Sequence, residues 1–310
     1  MVQEPDLSGP AGTVTAVVVS YNSRRHLETC LASLAADGVE RIVVVDNGST
    51  DGSERAAAAA GAVWVESGGN VGYGRAANLG AAHPGAAGSP YLLVCNPDLY
   101  VRPGAVRALV EALESDPSLG AVGPRLSNPD GSLYPSARTF PDLVDAVGHG
   151  LLGLVVPRNP FTRRYRLLDW DHSRAAKVDW VSGACFLARR AAWDAVGGFD
   201  PAYFMYMEDV DLCWRLRRAG WSIGYEPAAE VVHTQGVSAD LHPYRMLAAH
   251  HRSMWTFARR TSTGRRRLAL PLVAVGLAGR FLLAVLRRRL SGRGPEPAVP
   301  AVPQGSRPLP

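Results

Sequence analysis

Short apolar runs alternate with amphipathic segments through the first part of the chain. Four of these runs, TAVVVSY, RIVVVD, AVWVES and PYLLVCN, have the length and β-branched content of buried strands. The segment after the first run has helical periodicity, with Leu27, Cys30, Leu31 and Leu34 on one face. Strands that alternate with helices predict an α/β fold built on a mostly parallel sheet with flanking helices.

The second half of the chain is less regular. It predicts an amphipathic helix from Val101 to Ala121, then an irregular segment rich in Pro, Arg and aromatic residues up to about Asp171. Further elements follow, namely a strand in KVDWVSGACFLARR, a short helix in AAWDAVGG, a helix from Asp211 onward and a strand that ends in EVVHTQG. We expect these elements to extend the first sheet and not to form an independent domain.

Polar clusters stand at the carboxyl ends of three predicted strands. They are Tyr21-Asn22-Ser23, Asp46-Asn47-Gly48-Ser49 and Asn96-Pro97-Asp98. Ligands of parallel α/β sheets bind beyond the carboxyl ends of the strands. One crevice is therefore expected to collect all three clusters.

Composition excludes several classes of function. The 310 residues carry 33 Lys and Arg against 28 Asp and Glu, and much of the basic charge is concentrated in residues 265–267 and 287–289. No nucleic-acid-binding pattern accompanies these arginines, so nucleic acid is not an expected partner. The four cysteines are widely spaced, which predicts buried thiols in a reducing cytoplasm.

Both ends of the chain differ in composition from its centre. Residues 1–12 are expected to be disordered, and their acids and prolines do not fit a signal peptide. Residues 291–310 form a Pro-rich tail that is also expected to be disordered.

Three acids interrupt an aromatic and apolar stretch at Glu208, Asp209 and Asp211. Acids in such surroundings lose solvation, which raises the carboxylate pKa and suits a general base. Acids at the first turn of a helix also satisfy free backbone amides and complement the helix dipole. The motif alone leaves both interpretations open.

A glycine-rich turn precedes the third predicted helix. Gly72-Tyr73-Gly74 and the following alanines fit a loose dinucleotide fingerprint, although they follow the third strand and not the first. Alternatively, the glycines allow a tight turn while the helix start, with Arg75 and Asn78, faces an anionic nucleotide. A plain strand-to-helix turn is the third interpretation.

A departing nucleotide diphosphate needs its charge neutralised, and a divalent cation performs this role in many enzymes. Asp98 is the natural first ligand for such a cation, and His233 is a candidate second ligand. Imidazole favours Mn²⁺ over Mg²⁺, and both ions remain candidates. The alternative for His233 is a structural histidine at a strand end.

Residues 265–290 predict a basic, amphipathic, membrane-associating helix. The apolar stretch from Leu268 to Leu286 has nearly the length of a bilayer span, but it contains Pro271 and Arg280 and has arginine triplets on both sides. This pattern favours a helix that lies in the membrane interface with its arginines toward anionic headgroups. A single span and a soluble core helix are the alternatives.

Six motifs in order resemble the family 2 glycosyltransferases of the nucleotide-sugar-binding GT-A fold. They are TAVVVSYNS, VVVDNGSTDGS, NVGYGRAANLG, LLVCNPDLYV, VSGACFLARR and FMYMEDVDLCWR. The resemblance covers residues 14–233 and implies a Rossmann-like sheet in a glycosyltransferase domain of residues 13–264. Residues 13–125 would form the nucleotide-sugar-binding half and residues 126–264 the acceptor and catalytic half.

The resemblance also implies roles for individual residues. Asp46 would hold the nucleobase, with Ser20, Tyr21 and Asn22 near the nucleotide. Asn96 and Asp98 match the family's metal-binding acid pair, in which only Asp98 is a strong ligand, and His233 matches its late metal-site histidine. Asp209 would be the catalytic base, with Glu208 orienting it or a sugar. The sugar pocket would be lined by Trp180, Ser182 and Gly183.

Further segments narrow the resemblance to actinobacterial rhamnosyltransferases of cell-wall arabinogalactan synthesis. The segments that carry this narrower likeness are YPSARTFPDL, VPRNPFTRRYR, YFMYMEDVDL and LAAHHRS. It implies dTDP-β-L-rhamnose as donor, the 3-hydroxyl of polyprenyl-diphosphate-linked GlcNAc as acceptor, and inversion at the anomeric carbon. The enzyme would then work peripherally at the cytoplasmic face of the membrane. A relative that uses another sugar nucleotide or acceptor, and a catalytically silent binding protein, are the alternatives.

Overall fold

The first half of the computed structural model is a parallel sheet covered by helices. The structure describes residues 14–140, 156, 159–234 and 243–290. The strands of this half are β1 (Val14–Ser20), β2 (Arg41–Asp46), β3 (Val63–Glu66) and β4 (Tyr91–Cys95). The helices between them are α1 (Arg24–Ala36), α2 (Ser53–Ala59) and α3 (Tyr73–Ala82), with a 3₁₀ turn at Pro84–Ala86. The four strands lie parallel in the order β3-β2-β1-β4, which confirms the predicted parallel sheet.

The second half adds strands to the same sheet. Its strands are β5 (Leu99–Val101), β6 (Leu119–Ser127), β7 (Leu133–Tyr134), β8 (Ala137–Arg138), β9 (Ala176–Val178), β10 (Trp180–Val181), β11 (Cys185–Arg189) and β12 (Ser222–His233). Its helices are α4 (Ala105–Ser115), α5 (Pro160–Tyr165), α6 (Arg190–Val196), α7 (Glu208–Arg218), α8 (Pro243–Thr261) and α9 (Leu270–Leu290).

One sheet of ten strands runs through both halves. Its order is β3-β2-β1-β4-β11-β6-β12-β5, with β7 paired to β6 and β9 paired to β12. Strand β11 runs antiparallel to β4 and β6, whereas β12 runs parallel to β6. Strands β8 and β10 form a separate antiparallel pair. The expectation that the second half extends the first sheet is confirmed.

Several predicted element boundaries were wrong. The helix predicted for Val101–Ala121 ends at Ser115, and β6 begins at Leu119. Pro117 explains this, because the residue before a proline is pushed out of the helical region. The strand predicted in KVDWVSGACFLARR is three short strands, β9, β10 and β11, and helix α7 starts three residues before Asp211.

Helices pack on both faces of the sheet. In β1, Val14, Ala16 and Val18 face one apolar cluster, which includes α1 and α4, while Val17 and Val19 face a second cluster, which includes α3, α6 and α7. Burial on both faces is typical of central parallel strands. All four cysteines are free and buried within these layers, which confirms that they are buried thiols.

Helices α8 and α9 follow the sheet domain, and α9 packs on α8. Within the described part of the chain, the stretch Gly264–Leu290 is the one that is long and apolar enough to cross a membrane, and the protein buries none of it. Leu272, Val275 and Leu282 on α9 are about two-thirds exposed or more, at 67%, 71% and 66%. The termini predicted to be disordered, 1–12 and 291–310, lie outside the described residues.

Candidate active site

Asp46 is the last residue of β2, and the described residues donate hydrogen bonds to only one of its two carboxylate oxygens. Its Oδ2 accepts hydrogen bonds from the backbone N–H groups of Gly48, at 3.2 Å, and Ser49, at 2.9 Å. Its Oδ1 is buried and has no hydrogen-bond partner among the described residues. A buried acceptor without a partner is costly, so this oxygen is suited to an N–H donor on a bound ligand.

The loop after β1 is tied to the loop after β2. Asn22 has a left-handed φ of +47°, and its backbone N–H donates to Ser49 Oγ at 2.9 Å. The Asn22 Oδ1 accepts a hydrogen bond from the Thr50 N–H at 2.8 Å. The side chain of Asn22 therefore holds the two loops together beside Asp46.

Ser20 and Tyr21 complete the predicted nucleotide side of the crevice. Ser20 is fully buried at the end of β1, in register with Asp46, and its Oγ lies 3.0 Å from Ser23 Oγ. Tyr21 is half-buried in the loop that follows. The structure thus places Ser20, Tyr21 and Asn22 around Asp46, with Ser20 and Asn22 shaping the loop through bonds to other protein groups.

Asp98 and His233 meet because β5 pairs antiparallel with the end of β12, which places His233 opposite Leu99. The His233 Nε2 lies 3.3 Å from Asp98 Oδ1 and 3.3 Å from Asn96 Nδ2. Both Asp98 and His233 are buried, at 7% exposure each. The three residues that the sequence assigned to the leaving-group end of the cleft are therefore together.

The Asp98 and His233 side chains retain unused polar atoms. Asp98 Oδ1, although close to the imidazole, and His233 Nδ1 are buried without a hydrogen-bond partner among the described residues. Asp98 Oδ1 and the His233 Nε2 that faces it at 3.3 Å are the pair of atoms that suits a divalent cation such as Mn²⁺. The described residues contain no cluster of three or more His, Cys, Asp or Glu side chains, so a cation here would need most of its ligands from a bound diphosphate.

Asp209 lies at the start of α7, after a turn in which Tyr206 and Met207 both have a φ of +66°. Two consecutive residues in the left-handed region are unusual and store backbone strain. The Asp209 Oδ2 accepts a hydrogen bond from the Gly183 N–H at 2.9 Å, and its Oδ1 accepts one from the Val210 N–H at 2.8 Å. These bonds hold the carboxylate at the junction of α7 and the β10–β11 turn.

Opposing influences act on the pKa of Asp209. Burial raises the pKa, which favours a proton acceptor, while the N–H groups of Gly183 and Val210 and the charge of Arg138 stabilise the ionised form. The balance leaves the pKa above the ordinary value for an aspartate. A carboxylate in this state is a stronger base than a solvated one, provided that the pH keeps it ionised.

Glu208 lies away from these hydrogen bonds. It is 6% exposed, near the start of α3, and its Oε2 is buried without a partner among the described residues. Burial, reinforced by the charge of Asp209, raises the pKa of Glu208 to about 8. Glu208 is therefore protonated at neutral pH, and Asp209 is the acid of this pair that can serve as base.

Replacing Glu208 with glutamine should stabilise the protein at alkaline pH. An unfolded chain loses the Glu208 proton near pH 4.3, whereas the folded chain keeps it up to about pH 8, so stability falls as pH rises between these values. The Glu208→Gln variant lacks this titration. We expect its free energy of unfolding, measured by denaturant titration, to exceed that of the unsubstituted protein by an amount that grows from pH 5 to pH 8, on the order of 1–3 kcal/mol. The exposed Glu40→Gln variant is the control, and parallel curves for all three proteins would contradict the prediction.

Asp211 stabilises α7 from within its first turn and is not its N-cap residue. The residue before the helix is Met207, and Asp211 lies in the first turn of the helix itself. Its carboxylate binds Arg215 Nε at 2.6 Å and accepts a hydrogen bond from Tyr203 Oη at 3.2 Å. The pair with Arg215 has the i,i+4 spacing that brings two side chains together on one face of a helix. Asp211 therefore fastens α7 to the preceding loop.

Arg138 is a site residue that the sequence analysis did not single out. Its guanidinium lies over Trp180 at 4.9 Å from the ring centroid, and near Tyr165 and Tyr134 at 5.8 and 5.9 Å. Tyr134 in turn contacts the His233 ring at 5.7 Å between centroids. The arginine within YPSARTF was the available signal, since an arginine between aromatic residues is suited to cation–π contacts. We call Tyr134, Arg138, Tyr165 and Trp180 the aromatic cage.

The three predicted sugar-pocket residues lie in the β10–β11 segment, in which Gly183 contacts Asp209. Trp180 belongs to the aromatic cage, and its Nε1 donates to Thr139 O at 2.8 Å. Ser182 is 7% exposed, and its Oγ accepts from the Ala184 N–H at 3.3 Å. A Cβ on Gly183 would come within 3.1 Å of Asp209 Cβ. Gly183 therefore allows close approach of the carboxylate, and the structure brings all three residues to one place.

The predicted donor-binding residues of α3 face the loop that enters α7. A Cβ on Gly72 would lie 2.3 Å from Phe204 O. Arg75 Nε donates to Pro201 O at 2.9 Å, and the Asn78 amide exchanges two hydrogen bonds with the backbone of Phe199, at 2.8 and 2.9 Å. These contacts fix the neighbouring loop, which we call the α7 entry loop (199–207). The segment before Gly72 also reaches Asn47, next to Asp46, because Asn47 Oδ1 accepts the Val71 N–H at 2.8 Å. A nucleotide-binding role for the three residues stays a prediction.

Comparison with known proteins identifies relatives of this chain. The model of glycosyl transferase family 2 matches residues 15–211, and the model of glycosyl transferase family group 2 matches residues 161–297. N-acetylglucosaminyl-diphospho-decaprenol L-rhamnosyltransferase of Mycobacterium tuberculosis is 44% identical over 253 residues, covering 78% of this chain and 82% of the relative. Rhamnosyltransferase WbbL of Escherichia coli is 29% identical, covering 70% of this chain and 81% of the relative.

Solved structures show the same fold at low sequence identity. The mannosyltransferase PcManGT from Pyrobaculum calidifontis, solved in complex with GDP-Man and Mn²⁺, superposes with a TM-score of 0.54 at 18% identity. This superposition covers 94% of the present chain and 85% of the mannosyltransferase. The predicted GT-A fold is confirmed.

Proposed function

Because the chain belongs to the family 2 glycosyltransferases, we propose that it transfers L-rhamnose from dTDP-β-L-rhamnose to polyprenyl-diphosphate-linked GlcNAc. The observation that carries this proposal is the extended identity with the mycobacterial rhamnosyltransferase, which spans most of both chains. The acceptor atom is the GlcNAc 3-hydroxyl, and the anomeric carbon is inverted. Such a reaction would serve synthesis of the linker between peptidoglycan and arabinogalactan.

Inversion in a single displacement requires one general base, and Asp209 supplies it. Its two oxygens are held by the Gly183 and Val210 N–H groups, so the carboxylate cannot rotate away. Burial makes it more basic, and Arg138 keeps it ionised. Asp209 would take the proton from the acceptor hydroxyl as that oxygen attacks the anomeric carbon. Trp180 and Ser182 line the space next to the base, where the transferred sugar would lie.

The donor nucleotide is proposed to bind at the ends of β1 and β2. Asp46 Oδ1 is a buried acceptor without a partner among the described residues, and it matches an imide N–H donor such as that of thymine. Ser20 and Asn22 hold the adjacent loop in place through their bonds to Ser23, Ser49 and Thr50. The nucleobase would therefore be fixed at one end of the crevice, away from Asp209.

Asp98 and His233 would hold a divalent cation, Mg²⁺ or Mn²⁺, at the diphosphate end. The unsatisfied Asp98 Oδ1, together with the 3.3 Å distance between that oxygen and His233 Nε2, supports this assignment. When bound, such a cation neutralises charge that develops on the leaving diphosphate. The Tyr134 ring, which contacts His233, closes one side of this position.

The site of action is proposed to be the cytoplasmic face of the membrane. Helix α9 exposes a row of large apolar side chains that the protein leaves uncovered, and arginine triplets stand on both sides of it. A helix of this kind binds in the interface, where the arginines contact anionic headgroups. A peripheral position would bring the cleft to an acceptor whose polyprenyl chain stays in the bilayer.

The function is tested by following label from dTDP-rhamnose into a lipid phase. Full-length protein is incubated with dTDP-[¹⁴C]rhamnose and a prenyl-diphospho-GlcNAc, with EDTA or with added Mg²⁺ or Mn²⁺. We expect labelled lipid with either cation and a loss of at least about 100-fold in EDTA, because cation stabilisation of a leaving group contributes several kcal/mol.

Control reactions test the choice of donor and the role of the cation separately. UDP-glucose and GDP-mannose should give less than about a tenth of the transfer, and His233→Ala should raise the Mn²⁺ concentration needed for half-maximal rate more than His83→Ala does. Transfer from another sugar nucleotide in preference to dTDP-rhamnose would overturn the donor assignment. Full activity in EDTA would overturn the cation assignment.

A further inference from the structure

The groove between α8 and α9 is an apolar feature that the proposed chemistry does not use. It has a volume of about 410 Å³ and is lined by Ala248, Trp255, Ala274, Leu277 and Phe281, with His251 at its wall. Ligand pockets in proteins commonly span about 300–1,000 Å³. Resting on the proposed function, we propose that this groove holds the isoprene units next to the acceptor diphosphate, and that Arg280 binds that diphosphate.

The charge at this groove is complementary to a diphosphate. Arg280 is the one charged residue between Leu268 and Leu286, and it is half-buried in the apolar surroundings of α9. Its Nη1 lies 3.2 Å from His251 Nε2. Burial lowers the pKa of His251, so the imidazole is neutral and can accept a hydrogen bond from the Arg280 guanidinium. An arginine guanidinium binds phosphate oxygens in pairs, which suits it to a diphosphate.

Arg280 also lies on the side of the groove that leads to the base. Its guanidinium lies near the Tyr165 side chain. Tyr165 lies 6.3 Å from Trp180 and 5.8 Å from the Arg138 guanidinium, measured to ring centroids, and Arg138 acts on the charge of Asp209. A diphosphate on Arg280 would therefore place its sugar toward the aromatic cage.

Helix α8 joins the groove to the α7 entry loop. Ser253 Oγ donates to Met205 O at 2.9 Å, and the rings of Tyr206 and His250 lie 5.0 Å apart. His250 and Ser253 lie close to His251 in the sequence, on the helix whose other residues line the groove. The apolar outer face of α9 is exposed at Leu272 and Val275, so a chain in the groove can continue into lipid. The groove thus connects the bilayer with the catalytic end of the cleft.

The test compares acceptors that differ in diphosphate and in chain length. Full-length variants are assayed in detergent with farnesyl-diphospho-GlcNAc, methyl-diphospho-GlcNAc and octyl β-GlcNAc. For Arg280→Gln we expect KM to rise at least about tenfold with both diphosphate acceptors and at most about threefold with the octyl glycoside. Arg280→Lys should restore part of the loss, and the exposed neighbour Arg252→Gln should behave like the unsubstituted protein.

A groove-filling variant tests the apolar part separately. Ala274→Phe should raise the KM for the farnesyl acceptor. The KM for the methyl acceptor should change little, because this acceptor has no isoprene units to bind in the groove. The KM for dTDP-rhamnose and the thermal midpoint are measured for every variant to confirm folding. Equal KM changes for all acceptors, or none, would overturn the groove assignment while the proposed function stands. Absence of transfer by the unsubstituted protein to any acceptor would overturn the proposed function and this site with it.

Discussion

Replacing Asp209 with asparagine should reduce kcat by at least about 10³-fold, because the amide cannot accept the proton of the acceptor hydroxyl. Binding of dTDP should change little, since the proposed nucleobase contact is at Asp46, at the opposite end of the crevice. The carbonyl oxygen of the introduced amide can still accept one of the two hydrogen bonds from Gly183 and Val210. Turnover is measured with the prenyl acceptor, and dTDP affinity by calorimetry.

The pH profile gives a second, independent test of the base. Burial raises the pKa of Asp209, so the activity of the unsubstituted protein should fall on acidification at a higher pH than an exposed aspartate would give. The residual activity of the Asp209→Asn variant should not fall on acidification in this pH range. A profile identical in the two proteins would remove Asp209 from the role of base.

Asp211→Asn is the matched control for this substitution. It removes a carboxylate from the same turn of α7, but one that binds Arg215 and Tyr203 and lies away from the Gly183 contact. We expect a lower thermal midpoint, because a buried ion pair is broken, and a kcat within about tenfold of the unsubstituted protein. Near-normal turnover in Asp209→Asn, or a greater loss in Asp211→Asn, would contradict the assignment.

Replacing Gly72 with alanine should impair both folding and catalysis. Gly72 has a φ of +92°, and an added Cβ would lie 2.3 Å from Phe204 O, the carbonyl that accepts the Tyr73 N–H at 3.0 Å. The methyl group must therefore displace the α7 entry loop, which positions Asp209. We expect a loss of stability on the order of 2–4 kcal/mol and a kcat reduced by about 10²-fold, since small displacements of catalytic groups are costly.

Gly68→Ala is the control that distinguishes the effect of backbone strain from that of the steric clash with Phe204. Gly68 also has a positive φ, +80°, but no atom lies within 4 Å of its added Cβ. Its substitution should cost about 1 kcal/mol of stability and leave kcat unchanged. Thermal unfolding and initial rates on both variants make the comparison. Equal effects of the two substitutions would show that contact with Phe204 does not position the base.

The α7 entry loop is braced from two sides. Helix α3 holds it through the contacts of Gly72, Arg75 and Asn78, and helix α8 holds it through Ser253 and an ion pair between Arg260 and Asp200. Consecutive left-handed residues at its end store strain that these contacts offset. The base is therefore positioned by elements far apart in the sequence, one of which also lines the proposed lipid groove.

The sequence by itself determined the parallel sheet and its strand-end chemistry. Apolar runs of β-branched residues are buried on both faces of a sheet, so the sequence pattern predicted strands β1 to β4. The polar residues that follow these strands indicated one edge of the sheet as the binding edge. Asp46, Asp98, Asp209 and His233 were all identified in this way or by resemblance. The structure pairs Asp98 with His233, and Tyr134 and Arg138 connect that pair with Asp209. The ends of elements were harder to predict. The apolar periodicity continues past Pro117 and past the Ser182–Gly183 turn, whereas the helix and the strand end there.

Only the tertiary structure decided which polar residues face the cleft. Arg75 and Asn78 lie on a helix start that resembles a phosphate site, yet their hydrogen bonds are made to the α7 entry loop. Arg138 lies in a segment without regular periodicity, and its position over Trp180 depends on the pairing of β8 with β10. Periodicity reports which face of one element is apolar. The partners of a polar side chain depend on contacts between residues distant in sequence, which a local pattern does not encode.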